Sequence, residues 1–532
     1  MQGGAIILDE AREYAEPSAS TSAKPERIDR ILDSVQAAFD SGDSALFIKL
    51  LERNFLECWF GIQPADLTRM LRVAFQDGAR GTGKAESLYS FLGAAEGELP
   101  PGAPTLEDVP PDVQTGIASV SDLFKLRLSG RIREAMEVFD HAQDGLMAIN
   151  PLFSSDGGWE LVLLLQGGVT AMLDGDFARA VQLFTTVQSK PFQPLLGFIV
   201  RDAYVKMALV HAAFGDQSAA RTALAQSQRV PRGRSWANEQ IDAHETLTRA
   251  LLEVDNPDHA LELLDSILPF QVGEMWPFHV HATARVLARA GRQSEVAQRL
   301  ATMDALPLPR VLGEGFCGSI MNVARAADKV PHDPDSALFL LDQADAREPE
   351  VQTIRLRALL AAGRPAEALK MAELLRRNPR AAGLRQFKFW GMAGEAEAYL
   401  ALDHRESAVE VLRSLQAFSG GLTSQERSYF SAQLHAFAQA EFPDWEVGVL
   451  GLPAQSFNGV TGPHGLTASI RLTRRERQIL MLLDQEKTRR QIAEELFVSE
   501  NTLKTHLRAI YKKLDVPDRA TAVIRARREG YV

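Results

Sequence analysis

The sequence predicts an all-α protein, in which a helical-repeat superhelix is followed by a small four-helix domain that contains a helix-turn-helix. Two patterns indicate this fold class. Through the body, turn residues recur about every 39 residues, each followed by a small apolar residue five positions later and an apolar residue nine positions later. Over the C-terminal stretch, short apolar stripes at helical spacing alternate with helix-capping residues.

The repeats are marked by turn positions, as where Gly175 is followed by Ala180 and Phe184. A small residue in the second helix of a pair lets the first helix approach closely, and the apolar residue one turn later completes the contact. Because one pair cannot bury its apolar face alone, the pairs must stack into a tetratricopeptide-like array; unrelated helix hairpins are the alternative. The turn positions are Gly130, Gly175, Gly215, Asp255, Gly291, His332, Gly363 and Asp403.

Composition divides the chain into four segments. Ser, Ala and acidic residues dominate the N-terminus and predict disorder, whereas Gly and Pro before the last domain predict a linker. Within the body, 41–61 looks like a divergent repeat and the Pro-rich stretch 98–112 interrupts the array. The predicted segments are a disordered N-terminus at 1–26, a helical-repeat sensor or interaction body at 27–445, a linker at 446–470 and a compact domain at 471–532.

Capping residues place the four helices of the C-terminal domain. Side chains at a helix start satisfy backbone amides that have no partner within the helix, and Gly or Pro ends a helix. Second and third helices joined by a short turn are the helix-turn-helix arrangement. The predicted signals are capping boxes at Thr473 with Glu476 and at Thr488 with Gln491, a cap at Ser499, a stop at Pro517, a cap at Asp518 and a stop at Gly530.

The third of these helices has a polar, basic face. Lys504, Thr505 and Arg508 share this face, and Lys512 follows near the helix end. When the second helix of a helix-turn-helix enters the major groove of double-stranded DNA, long cations reach guanine acceptors and hydroxyls reach phosphates or base edges. The pattern therefore predicts a helix that reads DNA; a solvated basic helix is the alternative.

The distribution of charge supports this division. Residues 471–532 hold 15 Lys plus Arg against 9 Asp plus Glu, a net charge of +6. The rest of the chain carries −17, so the overall value of −11 conceals a basic domain on an acidic body. An acidic body repels DNA everywhere except at the basic domain.

The C-terminal residues resemble the LuxR-type, or NarL/FixJ-type, DNA-binding domain. The resemblance covers about 60 residues and rests on LTRRERQIL, QIAEELFVSENTLKTH, IYKKL and Arg519 with Ala522 and Val523. It implies that Lys504, Thr505 and Arg508 face bases. It also implies that Thr502, with Thr488 or Arg489 at the preceding helix start, holds phosphates. Glu486 and Leu503 stand where the family commonly has Gly and Val, both away from the proposed reading surface.

The resemblance also implies that the fourth helix supports the pairing of two domains on DNA. Ala522, Val523 and Ala526 form a small apolar patch that we expect to be exposed for this contact. A two-fold pair requires two half-sites about one helical turn apart, roughly 10 base pairs. The resemblance therefore implies a homodimer on DNA.

A repeat body before such a domain is similar in architecture to the MalT-like regulators. In those proteins a nucleotide-binding switch domain precedes a superhelical sensor, and this chain begins about where the sensor begins. The resemblance implies that the body responds to a small-molecule or protein effector. Because no switch domain is visible, the signal is expected to enter through the repeats themselves.

One glycine-rich loop resembles a phosphate-binding loop. GARGTGKA at 78–85 fits G-x-x-x-x-G-K, but Ala85 stands where a magnesium-binding hydroxyl is needed, and the preceding segment reads as an amphipathic helix rather than a strand. We therefore expect a connection between helices, no nucleotide and no other cofactor. ATP binding through Lys84 is the alternative.

The body contains no pattern typical of an enzyme, so no catalytic residue and no metal site is predicted. Cys58 and Cys317 are flanked by apolar residues and are expected to be buried thiols. No apolar run reaches the length of a membrane span, and the expected location is the cytoplasm.

Trp276, His279 and His281 form the most concentrated polar and aromatic group of the body. They lie near the start of a first helix, and first helices line the concave face of such arrays. A groove for an effector is one interpretation, and packing residues are the other.

Two classes of function follow. The first is a sequence-specific transcriptional regulator whose body senses a ligand or partner protein. The second is an interaction scaffold that uses its helix-turn-helix for dimerisation or docking without specific DNA binding. A salt titration separates them, because a specific reader keeps its preference for one sequence while its affinity falls with salt.

Overall fold

A computed structural model describes residues 25–86, 122–148, 158–445 and 474–528, with short gaps, and a short stretch within 88–92. Among these residues the chain forms helices and no strand, which confirms the all-α class. The helices are α1 (Pro25–Asp40), α2 (Ser44–Arg53), α3 (Phe55–Gly61), α4 (Pro64–Gln76), α5 (Ile132–Ala148), α6 (Gly158–Asp174), α7 (Phe177–Ser189), α8 (Gly197–Phe214), α9 (Gln217–Ser227), α10 (Asn238–Leu252), α11 (Pro257–Asp265), α12 (Trp276–Arg289), α13 (Val296–Asp304), α14 (Gly315–Lys329), α15 (Pro334–Leu341), α16 (Pro349–Ala361), α17 (Pro365–Arg376), α18 (Arg385–Ala401), α19 (Arg405–Gln416), α20 (Ala432–Glu441), α21 (Arg474–Asp484), α22 (Arg489–Glu495), α23 (Glu500–Lys513) and α24 (Arg519–Arg528).

The body from α6 to α19 consists of stacked helix pairs. Each even-numbered helix from α6 to α18 packs against the helix that follows it and against the first helix of the next pair. The predicted small and apolar positions are all buried in this packing, including Ala180 with Phe184 and Ala368 with Ala372. The hairpin register read from the sequence therefore agrees with the packing, and the assignment to the tetratricopeptide class stays a prediction.

The turn residues differ in backbone conformation. Gly130, Gly175, Gly291 and Gly363 have φ between 69° and 81°, a region that costs glycine little. Asp403 occupies the same position with φ 59°. Left-handed backbone is thus common to five of the predicted turns, and Gly215 adopts a negative φ of −108°.

The array turns far enough for distant pairs to meet. Helix α14 contacts α6, and α18 contacts α8. Between them lies a cluster of five phenylalanines, in which Phe214 has ring centroids 4.4 Å from Phe177 and 5.1 Å from Phe387. The other two members are Phe278 and Phe316.

Ion pairs reinforce this closure. Arg380 donates to the Asp174 carboxylate over 2.7 Å and to its backbone carbonyl over 2.7 Å, across 206 positions of sequence. Asp345 accepts from Arg133 over 3.1 Å and from Arg347 over 2.8 Å. These contacts tie the end of α6 to the connection before α18, and the start of α5 to the connection before α16.

The C-terminal helices α21 to α24 form a separate apolar core. Its centre comprises Ile479, Leu483, Ile492, Leu507 and Ile510, all buried. Three helices therefore surround the apolar side of α23, which leaves its other side available.

Several predicted segments lie outside the described residues. These are the N-terminus up to residue 24, the Pro-rich stretch 98–112, the linker 446–470, Thr473 and Gly530. Helix α1 begins at Pro25, so the last two positions of the segment predicted to be disordered are helical. The domain boundaries stay predictions. None of the helices in the described part of the chain combines the length and apolarity that crossing a membrane requires.

Candidate DNA-binding site

The two helices of the helix-turn-helix begin at their predicted caps. The Thr488 hydroxyl accepts a hydrogen bond from the Gln491 amide, and the Gln491 side chain accepts one from the Thr488 amide, completing the capping box at α22. At α23 the Ser499 hydroxyl accepts from the Thr502 amide over 3.1 Å. The caps fix where each helix starts and hence which residues of α23 share a face.

The predicted reading residues lie on the exposed side of α23. Lys504, Thr505, Arg508 and Lys512 are exposed, whereas Leu503 on the opposite side is buried. Three of the four recur every four residues and therefore form one basic stripe along the helix. The stripe is compatible with contact to a nucleic acid because nothing in the apolar core requires these side chains.

The predicted phosphate-binding residues gather at the two helix starts. Thr488 and Arg489 at the start of α22 are exposed, as is Thr502 in the first turn of α23. The Thr502 hydroxyl shares a hydrogen bond of 2.8 Å with the Ser499 hydroxyl. Helix starts favour anions because amides and the helix dipole point toward them.

Other cations of the domain are engaged in holding it together. Lys513 donates over 2.7 Å to buried Glu476. Arg519 donates to the Leu483 and Lys487 carbonyls over 2.6 Å and 2.8 Å, closing the C-terminal end of α21. The resemblance includes Arg519 but assigns it no role, and these two hydrogen bonds show what it does in the folded domain.

The prediction that Ala522, Val523 and Ala526 form an exposed apolar patch on α24 is wrong. Ala522 and Ala526 are fully buried in the core against α21 and α23, because they lie on the inner side of α24. Val523 is partly buried, and the large apolar side chain that reaches solvent is Ile524, 66% exposed. Any apolar contact between two domains through α24 would therefore centre on Ile524.

The three candidate effector residues of the body do not share one groove. Trp276 is buried and packs under Arg310, whose guanidinium carbon lies 5.7 Å from the ring centroid. His279 faces Leu264 and Asp265, and burial lowers its pKa. His281 points elsewhere, with its ring centroid 4.8 Å from that of Phe214 and its Nδ1 3.8 Å from Glu350 Oε1. Their role in binding an effector stays a prediction.

The loop that resembles a phosphate-binding loop holds a carboxylate of the protein itself. The Glu52 side chain accepts from the Thr82 amide over 2.7 Å and from the Lys84 and Ala85 amides over 3.2 Å each. Glu86 accepts from the Gly81 amide over 2.8 Å. The amides that would cradle a phosphate are therefore already satisfied by the side chains of Glu52 on α2 and of Glu86 just after the loop.

A basic, exposed second helix in a capped helix-turn-helix defines the class of the C-terminal region, which is a helix-turn-helix DNA-binding domain. Comparison with known proteins specifies it further. The family model described as "Bacterial regulatory proteins, luxR family" matches residues 471–526. The spore germination protein GerE of Bacillus subtilis (strain 168) is 46% identical over 59 residues, which are 11% of this chain and 80% of that protein.

The chain therefore belongs to the luxR family, through a helix-turn-helix DNA-binding domain of transcription regulation. The transcriptional regulatory protein LiaR of Bacillus subtilis (strain 168) is 48% identical over 61 residues, 12% of this chain and 29% of LiaR. The HTH-type transcriptional regulator AlkS of Ectopseudomonas oleovorans is 31% identical over 128 residues, 24% of this chain and 14% of AlkS. The chain thus spans under a third of these two proteins, and no solved structure matches it significantly.

Proposed function

We propose that the whole chain is a sequence-specific transcriptional regulator, in which the repeat body senses a small molecule or a partner protein and the C-terminal domain reads double-stranded DNA. The observation that supports this most strongly is the exposed basic stripe of α23 on an otherwise acidic protein. The similarity to AlkS extends over 128 residues, more than the C-terminal domain contains, so it also reaches the region before that domain.

Within this proposal the side chains divide into two groups. Lys504, Thr505 and Arg508 contact base edges, since they occupy the middle of the exposed face of α23. The phosphate-holding group lies at the helix starts and at the end of the stripe: Thr488, Arg489, Thr502 and Lys512. Phosphate contacts orient the domain and base contacts select the sequence.

Two kinds of variant test this division into base-contacting and phosphate-contacting residues. Genomic footprinting first identifies the operator on which they are measured. Lys504→Ala and Arg508→Ala should each cost about 1–3 kcal/mol of binding and relax the sequence preference. Lys512→Ala should weaken binding to all sequences alike and lower the salt slope by about one. Titration of cognate and scrambled duplexes at several salt concentrations measures both quantities.

The matched control is Arg377→Ala in the body. Arg377 is exposed and pairs over 2.9 Å with Glu373, so the variant removes the same kind of surface charge far from α23 in sequence. We expect unchanged DNA affinity. If the α23 variants bind with native affinity and selectivity, the reading face is wrongly assigned.

We further propose that two copies bind a two-fold operator through α24, with Ile524 at the contact. Ile524 is 66% exposed on a helix whose remaining apolar side is committed to the domain core. A patch of this size is small, so pairing would depend on DNA holding both domains side by side.

A further inference from the structure

A cluster of charged side chains lies inside the repeat body, between α12, α16 and the connection before α20. Arg285 and Arg289 stand one turn apart on α12, and Glu350 and Arg357 stand two turns apart on α16. Tyr429 completes the cluster through electrostatic contact with Arg289 and Arg357. None of these residues was singled out from the sequence, because they come from repeats up to about 140 positions apart.

Arg289 is the least satisfied member. Its side chain is buried, and one guanidinium nitrogen, Nη1, donates over 3.3 Å to the Leu251 carbonyl. The Tyr429 side chain also interacts with the guanidinium, whereas the Nε and Nη2 atoms are buried without a hydrogen bond of good geometry. Burial, followed by repulsion from Arg285, lowers the pKa of Arg289 to about 10, so it remains charged at neutral pH. A charged group with two open donors is costly to bury unless an acceptor arrives.

Positive charge exceeds negative charge at this place. The carboxylate that faces the arginines is Glu350, which interacts with Arg285 and Arg357. Burial raises the pKa of Glu350 to about 7, so this carboxylate is only partly ionised at neutral pH. Asp255 adds a weaker attraction toward Arg289 from the exposed connection after α10. Among the described residues, the three guanidinium groups thus face the carboxylates of Glu350 and Asp255.

The cluster is reachable and has aromatic neighbours. Arg285 is partly exposed, and the Glu350 side chain is 14% exposed, so one side of the cluster meets solvent. The Arg357 guanidinium carbon lies 5.1 Å from the Trp390 ring centroid, and Trp390 packs against Tyr429 at 4.6 Å between centroids. Aromatic rings therefore border the cluster on the side of Arg357.

We propose that this cluster, the inner arginine site, binds a small organic carboxylate that acts as the effector of the body. The Arg289 fork donates two hydrogen bonds to the carboxylate, the pairing for which a guanidinium is best shaped. His281, whose buried Nε2 has no hydrogen-bond partner, lies beside Glu350 and supplies a further polar contact. The inference rests on the sensing role proposed above.

Benzoate and succinate serve as probes, each compared with chloride at equal ionic strength in thermal unfolding of the full chain. We expect both carboxylates to raise the Tm of the wild type and of Arg377→Met. The increase should vanish in Arg289→Met and weaken at least about tenfold in apparent affinity in Arg289→Lys, which keeps the charge and loses the fork. Equal shifts in all four proteins, or no shift in the wild type, would overturn the proposal.

Two further measurements complete the test. Without added anion, Arg289→Met should unfold at the same Tm as the wild type or higher, because it removes an uncompensated buried charge; a marked fall would make Arg289 structural and refute the site. If Arg289→Met does not fold, the comparison of wild type with Arg289→Lys decides.

The chemical class of the ligand has its own control. Stabilisation by inorganic phosphate but not by carboxylates would reject the carboxylate class. DNA affinity of the unliganded protein is measured separately, so failure of the regulator proposal stays distinguishable.

Discussion

Many cationic side chains of the repeat body are buried against carboxylates, whereas those of helix α23 in the C-terminal domain are exposed. In the body, arginines such as Arg380 and Arg201 are turned inward and meet buried carboxylates. In the C-terminal domain, Lys504, Arg508 and Lys512 stand exposed in a row on one helix. Buried pairs fix geometry, whereas an exposed row attracts a polyanion from a distance. The contrast separates cations that hold the repeat body together from cations that are available to a partner on α23.

The largest effect should come from the core of the small domain. Leu507→Ala removes a side chain that is 3% exposed from a core of a dozen buried residues and should cost about 2–5 kcal/mol of that domain's stability. Calorimetry should show the C-terminal transition shifted and the body transition in place. The control Leu374→Ala, at a body position 49% exposed, should shift neither transition strongly. A joint shift would show that the two regions unfold as one unit.

The spacing of the operator tests the proposed pairing. Inserting about five base pairs between half-sites places the two domains on opposite sides of the duplex and should weaken binding at least about tenfold. Ile524→Asp should weaken binding to the native operator in the same direction, and Ala520→Asp, an exposed position on the same helix, gives the comparison for added charge. Affinity that ignores both the insertion and the Ile524 change would indicate a monomeric reader.

A buried carboxylate of the body should make the stability of the body fall as pH rises. Glu397 accepts from the Ser431 amide and hydroxyl over 2.8 Å each, and burial raises its pKa to about 7. Because the folded pKa exceeds the unfolded value near 4.5, the stability this group contributes is complete below that value and is lost as pH rises through 7. The Tm of Glu397→Gln relative to wild type should therefore increase from pH 5 to pH 8. A constant difference would contradict the raised pKa.

The smallest effect is expected at the glycine-rich loop. Since Glu52 already occupies the loop amides, Lys84→Ala should leave Tm and DNA affinity as in wild type. ATP with magnesium should likewise change neither quantity, measured by thermal shift and by titration with DNA. A rise in Tm with ATP and magnesium that disappears in Lys84→Ala would show that this loop binds nucleotide.

How much the sequence predicts differs between local and distant contacts. The caps at Thr488 and Ser499 and the exposed face of α23 follow from residues within one helical turn of each other, and the structure has them where the pattern places them. The side of α24 was misjudged because Ala522 and Ala526 suit a packed core as well as an exposed patch. Small side chains carry little information about which way they face.

The inner arginine site could not be predicted in this way. Arg289 and Arg357 belong to different repeats, and each alone reads as an ordinary polar residue of a helix. The curvature of the stacked pairs brings them together, and curvature depends on many small packing differences that no short pattern encodes. His281 was recognised by its neighbours in sequence, whereas its neighbours in the fold are Phe214 and Glu350.

The link between Asp174 and Arg380 has a consequence for folding. Repeat arrays usually fold as a chain of nearest neighbours, so that one end can fray while the other persists. A contact across 206 positions joins two distant pairs of the series directly, and it therefore raises the contact order of the whole body. We expect α6 to α18 to unfold in one cooperative step, and Arg380→Ala to broaden that step by letting the terminal pairs detach first.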